Sequence, residues 1–162
     1  MLYRTLVFVH VLAVLAFLAA HGTPIAVALR IRRATDPARI RSDLELSRDA
    51  IPFIHGTLFL VVITGVALAF VGGLWNRGWI WASIAVLVLL WLSMYWLGTS
   101  YYDRVRFAVG AAQMYGKTPE APVPTALPDD AARSVHSSRP LLLLGTGAAG
   151  VAVLVWLMMF KP

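Results

Sequence analysis

The chain has 162 residues, of which 59% are apolar and 14% charged, and its mean hydropathy is +0.74. A soluble domain carries about 25% charged residues, so this composition excludes an ordinary water-soluble fold and belongs to a bilayer. Cysteine is absent, which removes disulfides, thiolate metal sites and cysteine nucleophiles from consideration.

Four stretches carry no Asp, Glu, Lys or Arg: 5–29, 50–72, 79–102 and 140–160. Each reaches the roughly 20 residues that cross a bilayer as helix. None shows the alternation of a membrane strand. The expected fold is all-α, a single four-transmembrane-helix antiparallel bundle over 1–162, with loops at 30–49 and 103–139 on one side. These elements use nearly the whole chain and leave no room for a soluble catalytic domain.

The first span opens after Arg4 and contains two histidines, His10 and His21. Its start imitates a secretory signal, with Leu18-Ala19-Ala20 as the small-residue site. The apolar run continues to Leu29, longer than a signal's core, so a retained helix is expected.

The first loop holds Arg30, Arg32, Arg33, Arg39, Arg41 and Arg48. Asp36-Pro37 predicts a helix start, with an N-cap carboxylate and a proline in the first turn. Ile40, Leu44 and Leu46 are expected to face the membrane and the arginines water. The second span contains His55. It ends in a tight turn, Gly72-Gly73-Leu74-Trp75-Asn76-Arg77-Gly78.

The third span begins with Trp79 and Trp81, which with Trp75 read as an interfacial aromatic belt, as do Tyr101 and Tyr102 at its other end. Trp91 and Tyr95 are four residues apart and share a helix face, suited to packing, lipid contact or lining a ring-shaped cofactor. The second long loop carries Arg104, Arg106, Lys117, Arg133 and Arg139. Its first part, 103–115, is expected to extend the third helix. Pro119-Glu120-Ala121-Pro122-Val123-Pro124 reads as an extended spacer. In the fourth span, Thr146 with Gly150 and Gly145 with Ala149 form small-xxx-small pairs that admit close helix approach. They serve either the bundle or a neighbouring subunit.

Eleven of the fourteen basic residues fall in the two long loops; Arg4, Arg77 and Lys161 are the others. By the positive-inside rule these loops face the cytoplasm, and both termini lie on the non-cytoplasmic side. The basic balance is explained by topology and contact with anionic lipid. No reading element for nucleic acid accompanies it, so no nucleic-acid partner is expected.

Ionisable rings in hydrocarbon are candidate functional groups. His10 and His21 are eleven residues apart, which places them within roughly 20° of one helix face but about 16 Å apart along the axis. They therefore cannot share one metal. His21 lies nine residues before Arg30 and His55 six residues after Asp49. At about 1.5 Å per residue the two fall within roughly 5 Å of one depth. Two such imidazoles are suited to ligate a b-type haem iron from either side, with Ala19, Ala20, Gly22 and Gly56 as small neighbours. His10, nearer the other surface, is a second-site ligand or porphyrin contact, with Met158 and Met159 near its level. The competing reading is interhelical hydrogen bonding, for which Thr23, Thr57, Thr64 and Ser93 are available. His136, in the polar loop, reads as solvated. A zinc or copper site would need more converging ligands than the spans contain. The same lack of intramembrane acids argues against a proton pump or ion-coupled transporter.

Four segments carry a family likeness: Val7-Phe8-Val9-His10-Val11-Leu12, Arg32-Arg33-Ala34-Thr35-Asp36-Pro37-Ala38, Thr64-Gly65-Val66-Ala67-Leu68, and Leu157-Met158-Met159-Phe160-Lys161-Pro162. Their order resembles a family of bacterial four-helix integral membrane proteins of unknown function. That family is similar in pattern to the membrane domain of copper-resistance protein D and to the HemJ-type protoporphyrinogen oxidase. The resemblance implies a multi-pass protein of the bacterial inner membrane. From the HemJ type it implies haem b and a role for His10. The tryptophan and glycine that the HemJ type places after that histidine are Phe17 and Ala20 here. Its preceding lysine is missing, and His21 and His55 lie outside its pattern. The resemblance therefore carries fold and haem, not porphyrinogen oxidation.

Two functions follow as expectations. One is a haem-binding protein for electron transfer or haem-linked redox chemistry, with no catalytic residue assigned. The other is a non-catalytic accessory subunit, packed against other membrane subunits or its own copies.

Overall fold

The computed structural model describes residues 1–112 and 120–161. Among them there are six helices and no strand: α1 (Leu2–Ile31), α2 (Pro37–Asp49), α3 (Ile51–Val71), α4 (Gly78–Ala108), α5 (Asp129–Val135) and α6 (Arg139–Phe160). Four helical segments, beginning at Leu2, Pro37, Gly78 and Ala132, are long and apolar enough to cross a membrane. The second of these joins α2 and α3.

Helix starts follow local chemistry. At α2 the Asp36 carboxylate accepts a bond from the Ala38 N–H at 3.0 Å, and Pro37 occupies the first turn. Pro52 and Pro140 sit in the first turns of α3 and α6. There the missing N–H is no loss, because first-turn donors have no partner within the helix. Pro24, by contrast, lies inside α1. Its carbonyl is bound by the Tyr102 hydroxyl at 2.5 Å, tying α1 to α4.

The long helices associate as two pairs, α1 with α3 and α4 with α6. Along the first pair, Tyr3 approaches Gly72 and His10 lies over Thr64 and Gly65. Along the second, Leu90 presses on Gly150, Met94 on Gly147, and Arg139 reaches Ser100. A Cβ added at Gly150 would stand 2.3–2.6 Å from the Leu90 side chain, which would have to shift to admit it. Gly145 has open space where its Cβ would stand, and Ala149 is exposed. Gly150, with Gly147, thus serves α4·α6 packing, while Gly145/Ala149 points outward.

The main buried cluster is not mid-span. It joins Val27, Ala28 and Ile31 of α1, Ile40 and Leu44 of α2, Tyr101, Tyr102 and Val105 of α4, and Val135 of α5. The middle of each span instead shows large exposed apolar side chains, such as Phe59, Leu89 and Trp96, which suit a lipid surround. Ile40 and Leu44 correct one expectation. Both are 0% exposed and pack on protein rather than membrane, while Leu46 points outward. Short α2 tucks beneath the ends of α1 and α4, and the apolar side it offers is consumed there.

Arg106 locks this end. It is 0% exposed. Its guanidinium donates to the Leu44 carbonyl at 3.0 Å, to the Glu45 carboxylate at 2.6 Å and to the Ala112 carbonyl. Such a buried charge persists only when its donors are satisfied. Arg30 pairs with Asp43 at 3.1 Å, and Arg41 with Glu120 at 2.7 Å.

Helix α4 ends at Ala108, short of the expected extension. Gly110 follows with φ +68°, and a Cβ there would meet the Ala121 and Pro122 carbonyls at 2.8 Å. A glycine therefore permits both the left-handed turn and the return of the chain, sealed by the Ala121 N–H on the Gly110 carbonyl. Residues 120–124 are neither helix nor strand, as the spacer reading expects. Tyr115, Lys117, Pro119 and Pro162 lie outside the described residues.

Candidate functional site

The three span histidines separate into two places. His10 sits at the α1–α3 contact, its Nδ1 2.8 Å from Thr64 Oγ1. The Thr64 hydroxyl is itself 2.7 Å from the Leu60 carbonyl. A carbonyl only accepts, so the hydroxyl proton goes to Leu60, and the His10 Nδ1–H donates to Thr64. The neutral ring then keeps its lone pair on Nε2. Gly65 makes room: a Cβ there would stand 3.2 Å from His10 Cε1.

His21 and the exposed His55 both line one cleft. Its wall includes both histidines, Pro24, Trp91, Tyr95 and Gly98, drawn from α1, α3 and α4. His21 stacks on Phe17 with ring centroids 5.5 Å apart, and its Nδ1 is buried without a hydrogen-bond partner. Buried polar atoms are nearly always satisfied, so this orphan ring nitrogen asks for an explanation. The His55 Nδ1 is 3.0 Å from the Ile51 carbonyl of its own helix. That nitrogen therefore carries the proton, and the Nε2 lone pair is left for another group. The Trp91 and Tyr95 rings stack at 6.2 Å on the same wall.

The side chains on the cleft of a type that ligates iron are the two imidazoles and the Met94 thioether, with no carboxylate among the described lining residues. Among the described residues no three metal-ligating side chains converge, so a bare ion has no cage. Imidazole is the side chain that commonly ligates haem iron, and His21 and His55 are the residues that would hold such a group here. The space within the cleft is about 160 Å³. Ligand pockets hold roughly 300–1,000 Å³, so this cleft is too small to enclose a macrocycle as it stands. Gly22 and Gly56 have open space rather than a neighbour at their Cβ positions and are not among the cleft's lining residues. The small residues of the wall are Ala28 and Gly98 instead. Met158 and Met159 are exposed on α6.

His136 is exposed, as its loop position suggests, but its Nδ1 also bonds the Arg32 carbonyl at 2.7 Å. Sequence reasoning missed the basic recess formed by Tyr101, Arg104, Arg133, Ser134, Ser137 and Arg139, about 320 Å³ in volume. Arg104, Arg133 and Arg139 were visible only as topology charges. Their convergence depends on α5, a short helix with little sequence signal.

Comparison with protein-family models, curated proteins and solved structures gives no match. The class that the helices define is a multi-pass membrane protein.

Proposed function

We propose that this membrane protein binds a b-type haem at the cleft between α1, α3 and α4, where His21 and His55 would hold the iron. The observation that carries the reading is the shared cleft: two histidines 34 positions apart border one space, one with an unpartnered nitrogen and one with a free lone pair. The stacked Trp91 and Tyr95 rings would offer a bound ring an aromatic wall. Bound haem would supply one-electron transfer. The residues' own part is to hold the iron, orient the ring and keep water out. His10 acts as a helix-pairing residue whose Nε2 remains available for a second contact.

In this reading the bundle is antiparallel, with α2, α5 and the arginine-rich loops in the cytoplasm of a bacterial inner membrane and both termini outside. The charge asymmetry supports that orientation, as does the family likeness carried by His10 and its neighbours. Contacts pairing Tyr3 with Gly72 and His10 with Gly65 support the antiparallel arrangement of α1 and α3.

Titration of the purified protein with haemin tests the assignment. One equivalent should saturate a shifted Soret band in the wild type and in His136→Ala, and neither His21→Ala nor His55→Ala should reproduce it. Equal binding by all four proteins would defeat the ligand assignment.

The outward Gly145/Ala149 face favours a second reading, an accessory subunit contacting another membrane helix there. Co-purification with a partner that Gly145→Leu abolishes, in protein lacking haem, would select it. A haem-free, stable isolated monomer would reject both readings.

A further inference from the structure

The basic recess at the end of α4 is built from three elements. Arg104 and Tyr101 come from α4, Arg133 and Ser134 from α5, and Arg139 from the first turn of α6, with Ser137 just before it. No carboxylate is among its described lining residues. The arginines seen in ion pairs are Arg30, Arg41, Arg48 and Arg106, all bound elsewhere. Among the described residues, Arg104 and Arg133 have no hydrogen-bonding or ion-pair partner, and Arg139 makes one contact, to Ser100 Oγ at 3.3 Å.

Charge alone would describe a solvated surface. The second observation is independent of it. Tyr101 is 1% exposed, and its hydroxyl is buried with no hydrogen-bond partner; the Ser137 hydroxyl, also on the recess, is in the same condition. Desolvated hydroxyls without partners beside three converging guanidiniums call for an acceptor-rich anion. Helix α6 begins here without a side-chain cap, so its positive end adds to the field.

We propose that this recess binds a phosphate-bearing ligand, its oxygens taken by Arg104, Arg133 and Arg139 and by the Tyr101 and Ser137 hydroxyls. A phosphate suits forked guanidinium donors, and 320 Å³ accommodates a phosphoglycerol headgroup or a small phosphate ester. The site stands apart from the haem proposal and survives its failure. The shared chemistry is the phosphate; the source is either an anionic phospholipid or a soluble phosphate compound.

The test uses the full chain in phosphatidylcholine nanodiscs. Phosphatidylglycerol is introduced into the bilayer, or inorganic phosphate into the buffer, and the thermal midpoint and native mass are read. Stabilisation with retained phosphatidylglycerol assigns a lipid headgroup; stabilisation by inorganic phosphate alone assigns a soluble ligand. Arg104→Gln and Arg133→Gln should each weaken binding about 10-fold, the loss of a charge-assisted hydrogen bond. Arg39→Gln, an equal change of charge at an exposed site on α2, should leave it within about two-fold. Tyr101→Phe should weaken binding while raising the ligand-free midpoint, because an unsatisfied buried hydroxyl is removed. This variant keeps the test sharp should an arginine variant fail to fold. Stabilisation by neither probe, or equal weakening by Arg39→Gln, overturns the proposal.

Discussion

His10 Nδ1–H donates to Thr64 Oγ1 across 2.8 Å, and the threonine hydroxyl in turn donates to the Leu60 carbonyl 2.7 Å away. The relay joins α1 to α3 and sets the histidine tautomer. Thr64→Val removes the acceptor while keeping the shape. It should cost about 1 kcal/mol of stability, the scale of interhelical hydrogen bonds within membranes. Thr64→Ser should cost less. Reversible unfolding in detergent micelles checks both; no loss in Thr64→Val would show that the contact contributes nothing.

Arg106 joins α4 to α2 through Leu44, Glu45 and Ala112. Arg106→Ala strands these acceptors and should destabilise by about 3–5 kcal/mol, as does breaking a buried charge network. Arg106→Lys should rescue little, since an ammonium cannot reproduce the planar fork. Glu45→Gln should cost less than Arg106→Ala, because the Glu45 side chain remains 35% exposed. The same unfolding measurement, run as a double-mutant cycle, reads the coupling.

Gly150 and Gly145 lie on different faces of α6, and one substitution separates them. Gly150→Ala places a methyl inside contact distance of Leu90 and should destabilise by roughly 1–3 kcal/mol, the range for overpacking. Gly145→Ala meets open space and should be neutral or stabilising by up to about 1 kcal/mol through helix propensity. A loss at Gly145 matching that at Gly150 would mean that the outward face is occupied in the isolated protein.

Much of this was legible before any coordinates. Runs without charge longer than a bilayer crossing announce the four apolar helices, and Asp36-Pro37 announces α2 by its capping chemistry. Counting from Arg30 and Asp49 gives His21 and His55 similar expected depths; the structure shows only that both line one cleft. Less legible was what each face meets. Thr64 was one of several hydroxyls available to a histidine, and only packing selects it for His10. Ile40 and Leu44 carry the same apolar signal whether they face lipid or protein. Arg106 reads like any loop arginine, because burial by three separate chain segments leaves no local mark. The Arg104, Arg133 and Arg139 recess likewise depends on where α5 folds back.

The central claim is a haem held between His21 and His55. A reduced-minus-oxidised spectrum of the protein purified from membranes tests it most directly. A haem held by these two residues gives b-type Soret and α bands at near one haem per chain, lost in His21→Ala and in His55→Ala and retained in His136→Ala. Absence of those bands from the wild type, or their persistence in both span-histidine variants, would contradict it.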